Sequence, residues 1–80
     1  MDRTGILRQI EIIFEEVLDE NDINLTEATT ANDVEGWDSL THIQLIVAIE
    51  KRFKIKFTSK EILSWKNVGE MTDAISSKLV

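Results

Sequence analysis

The spacing of apolar residues predicts a first helix from about Thr4 to Leu18. Six apolar side chains recur at the intervals that place them on one face of an amphipathic helix. They are Ile6, Leu7, Ile10, Ile13, Phe14 and Val17. Charged and amide side chains occupy most of the opposite face, and Asp2 or Thr4 can cap the N-terminus. We therefore expect a helix with one face packed against the rest of the chain.

Periodicity disappears over residues 19–38, which are rich in Asp, Asn, Thr and Glu. Their main apolar residues are Ile23, Leu25 and Val34. An irregular segment of this length is uncommon in a compact domain and usually forms a functional loop. It closes at Gly36, whose backbone freedom permits a sharp bend. The pattern predicts a long loop with a few apolar anchors.

A second helix is predicted to begin with Asp38 or Ser39 as its cap and to reach about Phe53. Its apolar residues cover more than half of the circumference, which predicts a central helix packed on several neighbours. They are Leu40, Ile43, Leu45, Ile46, Val47, Ile49 and Phe53. The strip left for solvent is Thr41, Gln44, Ala48, Lys51 and Arg52. His42 and Glu50 fall within the apolar arc, where only edge positions or hydrogen bonds to the loops would accommodate them.

Residues 53–57 alternate like a strand, but no second strand-like run could pair with them, so they predict an extended connector. Thr58 with Glu61 resembles a capping box and predicts a short helix ending between Leu63 and Trp65.

The same spacing at Asn67 and Glu70 opens a last helix. Its apolar stripe consists of Val68, Met71, Ala74, Ile75 and Leu79. The fold class is therefore all-α, a four-helix bundle of three longer helices and one short helix, with a long loop between helices 1 and 2. Eighty residues suffice for one modest core, so residues 1–80 are expected to form a single domain.

Composition limits the chemistry. The chain has no cysteine, which excludes disulfides, zinc–thiolate sites and a cysteine nucleophile, and which agrees with the reducing cytoplasm as its location. No apolar stretch approaches the roughly 18 residues of a membrane span, so no membrane insertion is expected.

The net charge of −6 is unevenly distributed. Residues 1–50 hold two basic and twelve acidic side chains, whereas residues 51–80 hold seven basic and three acidic ones. An acidic face repels nucleic acid and steers a protein toward basic protein surfaces, although the same acidity can simply maintain solubility. Nucleic acid is therefore not expected as a partner.

Catalytic arrangements are poorly supported. His42 follows Ser39 by three residues, so the two could be neighbours on a helix. No glycine-rich elbow surrounds the serine, and a bundle of this size has little room for a substrate pocket. The acidic residues lie in a solvated loop and provide neither a matched acid and base nor a metal site. The chain is not expected to be an enzyme or to bind a metal.

Ser39 stands out by its position at the start of a helix. First-turn backbone N–H groups lack partners within a helix, and the helix dipole favours an anion there, so a phosphodiester on Ser39 would be accommodated. Spacing alone nevertheless favours an ordinary helix cap at this serine.

The run Gly36-Trp37-Asp38-Ser39-Leu40 and the pattern that follows it resemble the acyl carrier proteins over nearly the whole chain. The other matching positions are Ile43, Leu45, Ala48, Ile49, Glu50, Phe53, Ile55, Ile75 and the run Val68-Gly69-Glu70-Met71. The resemblance implies that Ser39 receives phosphopantetheine from coenzyme A through a separate, magnesium-dependent phosphopantetheinyl transferase. The thiol of that arm would hold acyl groups as thioesters. Asp38 would help to position the transferase's metal and the serine, and Leu40 would provide an apolar contact.

The resemblance also implies partners and a place for the cargo. A monomer would deliver acyl groups to acyl-loading, ketosynthase-like or acyltransferase enzymes. Predicted partner contacts are Trp37, Thr41, Gln44, Leu45 and Ala48, with Trp37 equally interpretable as a loop anchor. A groove beside the second helix, lined by Ile43, Val47, Ile62 and Ile75, could shelter the acyl chain.

One departure from the family bears on the pathway. Fatty-acid carriers present several acidic residues on the exposed strip of the second helix, and this chain has none there. That argues against the housekeeping fatty-acid pathway and favours a dedicated carrier for a specialised pathway, such as polyketide-like, modified-lipid or aminoacyl chemistry. The function that the resemblance implies is transfer of acyl intermediates in fatty-acid-like, polyketide-like or modified-lipid biosynthesis. An aminoacyl or peptidyl carrier of a nonribosomal-type pathway, or an unmodified helical interaction module, remains the alternative.

Overall fold

Four α-helices make up the fold in a computed structural model that describes residues 2–79. In chain order they are α1 (Arg3–Leu18), α2 (Ser39–Phe53), α3 (Ser59–Ser64) and α4 (Val68–Leu79). A single 3₁₀ turn, Ala31–Asp33, interrupts the long loop between α1 and α2, and no strand occurs within the described residues. The all-α prediction is confirmed, whereas the predicted domain limits, Met1 and Val80, lie outside the described residues.

The helices begin at the caps that the sequence predicts. Asp2 caps α1 by accepting a hydrogen bond from the backbone N–H three residues later. Thr58 and Glu61 form a reciprocal capping box at the start of α3. The Asn67 side chain accepts a hydrogen bond from the Glu70 N–H at 2.9 Å. Because each cap satisfies N–H groups that the helix leaves open, these side chains fix where the helices start.

The core lies between α1 and its two neighbours, α2 and α4, which are the closest helix pairings. Fully or nearly fully buried side chains come from all three helices and from the loop. They are Ile6, Ile10, Ile13, Phe14, Leu25, Leu45, Ile49, Phe53, Val68, Met71 and Ile75. The predicted loop anchors are confirmed, since Leu25 is buried and Ile23 and Val34 pack against this cluster. The central helix of the fold is thus α1.

The prediction that α2 is central, with a mostly buried circumference, is wrong. Only one face of α2 is buried, the face formed by Leu45, Ile46, Ile49 and Phe53. Leu40, Ile43 and Val47 are 69%, 54% and 44% exposed. The predicted solvent residues Thr41 and Ala48 are half-buried instead. The three exposed residues recur at helical spacing on the side of α2 opposite its buried face, and we call them the α2 apolar strip.

Backbone and side-chain hydrogen bonds hold the long loop in place. Carboxylates of α1 accept two of them, Glu11 from Leu25 N at 2.8 Å and Glu15 from Ile23 N at 3.1 Å. These acidic residues of α1 therefore position the loop as well as contributing negative charge.

The same loop also contacts the start of α4. Glu27 O accepts a hydrogen bond from Gly69 N at 2.8 Å, and its carboxylate pairs with Arg3. Arg3 also pairs with Asp73 of α4. The hydrogen bond from Arg3 lowers the pKa of Glu27, which keeps that carboxylate charged. The loop is thereby tied to both α1 and α4.

Glu50 has a role that the sequence pattern left open. Its carboxylate accepts a hydrogen bond from Phe57 N at 2.9 Å. Its backbone carbonyl accepts from the N–H of Lys54, which ends α2 in the left-handed conformation at φ 57°. Glu50 therefore holds the extended connector against the end of α2.

We expect Gly69→Ala to lower the free energy of unfolding by about 1–3 kcal/mol, the usual cost of overpacking. An added Cβ would lie 2.7 Å from Glu27 O, so the loop and α4 would have to separate. Urea titration followed by circular dichroism measures the change. Ser77→Ala, at an exposed position of the same helix, is the control and should leave stability nearly unchanged. Equal stability of Gly69→Ala and the native protein would contradict this close approach.

Candidate functional site

The loop turns into α2 through a compact hydrogen-bonded bend. Gly36 has φ +88°, which is strained for any residue with a side chain. The Thr41 hydroxyl donates to Gly36 O at 2.7 Å and accepts from Asp38 N at 2.8 Å. Thr41 therefore fixes the bend from within the first turn of α2.

Asp38 is the cap of α2. One carboxylate oxygen, Oδ1, accepts hydrogen bonds from Leu40 N at 3.0 Å and Thr41 N at 2.9 Å. The bond from the Thr41 backbone is the main cause that lowers the pKa of Asp38 below its usual value. The carboxylate thus stays charged where the helix dipole favours an anion.

Ser39 is consequently the first residue of α2 rather than its cap. It is exposed, and its hydroxyl takes part in none of the side-chain hydrogen bonds within residues 2–79. The interpretation of Ser39 as an ordinary cap is therefore wrong. The amides of Leu40 and Thr41, which the sequence argument left for a phosphate, are already bound by Asp38.

Trp37 anchors the loop to two helices. Its ring packs edge-on against Phe14 of α1, with centroids 4.9 Å apart. Its indole Nε1–H donates to His42 Nδ1 at 3.1 Å, and because the two ring planes differ by only 24° the rings meet edge to edge through this bond. The loop-anchor interpretation of Trp37 is supported, and His42 is the helix residue that it binds.

A cavity of about 380 Å³ lies beside Ser39. One wall comes from the loop and the first turn of α2, and the other comes from α3, the segment after it and α4. The lining residues are Ala31, Trp37, Asp38, Ser39, His42, Ile62, Leu63, Trp65, Lys66, Asn67 and Met71. Its size falls in the range of small-molecule sites, and its walls are largely apolar.

The four residues predicted to line an acyl groove lie in different places. Of the four, only Ile62 lines the cavity beside Ser39. Ile75 is fully buried in the core, and Ile43 and Val47 lie on the exposed α2 apolar strip. Apolar periodicity identified these side chains but could not tell which helix faces meet.

The residues predicted to contact partners differ in how far they are exposed. Leu45 is fully buried, so it cannot contact a partner, and that prediction is wrong. Ala48 and Trp37 are half-buried against the core. Thr41 is half-buried and holds the bend, whereas Gln44 is exposed and accessible.

Sequence reasoning missed Trp65, Asn67 and Met71 as residues around Ser39. They follow Ser39 by more than twenty positions and reach the cavity only through the packing of α4. The one available signal was the tryptophan directly after the short helix, a large apolar residue in an otherwise polar connection.

Comparison with known proteins decides the family. A model of the phosphopantetheine attachment site matches residues 8–75, most of the chain. The chain belongs to the phosphopantetheine-attachment family. The resemblance to acyl carrier proteins is thereby confirmed.

Two similar proteins agree with this family. The mitochondrial acyl carrier protein of Saccharomyces cerevisiae is 33% identical over 75 residues, which cover 88% of this chain. The chain spans only 58% of that relative's length. The solution structure of a holo acyl carrier protein from Geobacter metallireducens is 45% identical, with a TM-score of 0.85 over 91% of this chain and 84% of that chain. The fold prediction is confirmed by this likeness.

The prosthetic group of this family is covalently bound phosphopantetheine, which supplies a thiol that carries acyl groups as thioesters. The site fits such a group in two respects. The Ser39 hydroxyl is exposed and has no protein partner within the described chain, and the adjacent cavity is open to a flexible chain. Lys66 lines the same cavity.

Within residues 2–79, no group of three or more His, Asp or Glu side chains is placed to hold a metal ion. No helix in this range is long and apolar enough to cross a membrane.

We expect Asp38→Ala to lower the thermal midpoint at neutral pH by several degrees, because two first-turn amides lose their acceptor. Since the pKa of Asp38 is lowered in the folded state, its contribution is present above the unfolded value of about 3.9 and is lost as pH falls through the lower folded value. The difference between the native protein and Asp38→Ala should therefore narrow below about pH 4. Thermal unfolding followed at a series of pH values measures it. A difference independent of pH would contradict the role of the charged carboxylate.

Proposed function

We propose that Ser39 carries the phosphopantetheine group and that the protein is a non-catalytic carrier of acyl intermediates. The observation that carries this proposal is the division of roles at the start of α2. Asp38 caps the helix, so the Ser39 hydroxyl beside it is exposed and uncommitted. Membership of the phosphopantetheine-attachment family supports a modified serine at such a place.

The neighbours of Ser39 suit the modifying enzyme. Both backbone amides bound by Asp38 use Oδ1, so Oδ2 remains available to the magnesium ion of a phosphopantetheinyl transferase. Leu40 is 69% exposed and offers that enzyme an apolar contact next to the serine. Phosphopantetheine would come from coenzyme A, as the resemblance implies.

We propose that the α2 apolar strip, together with exposed Gln44, binds the enzymes that load and receive the acyl group. The strip begins one residue after Ser39 and continues along α2. An exposed row of large apolar side chains is typical of interaction surfaces. Acyl-loading, ketosynthase-like or acyltransferase enzymes are the partners that this proposal implies.

None of the exposed residues of α2 is acidic, which favours a dedicated carrier of a specialised pathway, polyketide-like or modified-lipid, over a housekeeping fatty-acid carrier. The relative from Saccharomyces and the structure from Geobacter are both named as acyl carrier proteins, which supports acyl rather than aminoacyl or peptidyl cargo. An aminoacyl or peptidyl carrier would share the arm, and release of the cargo by thioester cleavage distinguishes the two. An unmodified interaction module would accept no arm at all.

We further propose that residues 1–80 act as one domain, as a monomer and in the cytoplasm. The matched family region lies within these limits. The yeast relative is named as mitochondrial, so fractionation of the native host is the direct check of location. Light scattering checks the monomer.

Incubation with coenzyme A, magnesium and a broad-specificity transferase should add the mass of one phosphopantetheinyl group, measured by intact-protein mass spectrometry. Ser39→Ala should abolish the addition and retain the helical circular dichroism, because Asp38 remains as the cap. Ser59→Ala is the matched control, since Ser59 is likewise an exposed first residue of a helix behind its cap. It should be modified like the native chain. Modification of Ser39→Ala would show that the site is elsewhere.

Ile43→Gln should lower kcat/KM of an acyl-loading enzyme by about tenfold or more, as expected when one apolar side chain is lost from an interface. Ile12→Gln is the control, because Ile12 is also an exposed isoleucine but lies on α1. Initial rates with the modified protein as substrate measure both. Equal losses for the two variants would argue against the α2 apolar strip as the docking surface.

A further inference from the structure

The hydrogen bond between Trp37 and His42 fixes which imidazole nitrogen carries the proton. An indole N–H can only donate, so His42 Nδ1 must accept the 3.1 Å bond from Trp37 Nε1. With Nδ1 as the acceptor, the ring proton lies on Nε2. Trp37 is thus a positioning residue that makes Nε2 a hydrogen-bond donor.

This donor is open to a ligand. Within residues 2–79 no side-chain nitrogen or oxygen is buried without a partner, and none of the hydrogen bonds there involves His42 Nε2. The atom is therefore accessible. His42 lines the cavity that Ser39 also lines, so its ring is adjacent to any group that enters the cavity from Ser39.

The surroundings of His42 make this donor selective. Its ring meets Trp37 edge to edge through the hydrogen bond, and Trp65 packs against it in a T-shaped contact at a centroid distance of 6.3 Å. Trp65 is itself held by Phe57, with centroids 4.9 Å apart. Because these contacts hold the His42 ring, its orientation can change little. A hydrogen bond between largely apolar walls is also stronger than one in water.

We propose that His42 Nε2–H donates a hydrogen bond to an oxygen of the group attached at Ser39, and that the cavity thereby prefers a chain bearing an acceptor oxygen to a plain hydrocarbon. The inference rests on the proposed attachment at Ser39. The acceptor is a carbonyl or hydroxyl oxygen. It belongs either to an amide of the phosphopantetheine arm or to an oxygen substituent near the thioester of the acyl group, and the test below separates these two sources.

Nuclear magnetic resonance of the imidazole measures the bond directly, because His42 is the only histidine in the chain. The protein is compared unmodified, with the arm alone, with a butanoyl arm and with a 3-hydroxybutanoyl arm. Intact mass first verifies each loading, and failure to load at Ser39 overturns the proposed function rather than this inference.

In the bonded state we expect the Hε2 proton to move downfield and to exchange with water about fivefold more slowly, the factor that one net hydrogen bond provides. The change on attachment of the arm alone identifies an arm carbonyl as the acceptor. A change only with the 3-hydroxybutanoyl arm identifies the oxygen of the cargo. An Hε2 signal unaltered in every verified loaded form overturns the inference.

Two pairs of variants separate positioning from general structure. Trp37→Phe removes the donor to Nδ1 and should give ¹⁵N shifts of mixed imidazole tautomers, whereas Trp65→Phe leaves that bond in place and should not. His42→Phe should return the shift of the ¹³C-labelled oxygen-bearing carbon of arm or cargo to its free value, and His42→Gln, which retains an N–H donor, should restore part of it. Unchanged tautomers in Trp37→Phe, or an unchanged carbon shift in His42→Phe, would contradict the proposal.

Discussion

The capping of α2 by Asp38 is the interaction on which the site depends. Short polar side chains compete for the first-turn amides of a helix, and here aspartate occupies them immediately before a serine. The serine is thereby left at the first helical position with its oxygen facing outward. Thr41 completes the arrangement, because its hydroxyl binds both the bend at Gly36 and the backbone of Asp38. The exposed Ser39 is thus held at a hydrogen-bonded helix start.

The long loop is ordered by polar contacts with the helices on both sides of it. Carboxylates of Glu11 and Glu15 accept its N–H groups, and Gly69 allows its backbone to approach α4 closely. Acidity that the composition assigns to steering or solubility therefore has a structural use on α1. Since Trp37 at the end of this loop packs on Phe14 of α1, the position of the site follows from the way the loop is held.

Much of the fold follows from local sequence rules. Caps at Asp2, Thr58 and Asn67 are recognisable because a polar side chain precedes an apolar period, and the helix starts agree with them. Local rules allow either Asp38 or Ser39 as the cap of α2, and the structure shows that Asp38 is the cap.

Features that depend on tertiary packing could not be predicted. Periodicity counts the apolar residues of α2 but not the neighbours available to them, so it does not predict that Ile43 and Val47 are exposed. The pairing of Trp37 with His42 and the approach of Trp65 depend on how three segments pack together. The spacing of residues along the chain does not predict that these three side chains come into contact.

Docking on the α2 apolar strip, as proposed, would have a kinetic consequence. An interface confined to Leu40, Ile43, Val47 and Gln44 would bury far less than the roughly 1,200–2,000 Å² of stable complexes. A complex that buries so small an area is weak mainly because it dissociates quickly. Each visit to an enzyme would accordingly be brief, and a carrier that serves several enzymes in succession benefits from leaving each of them quickly.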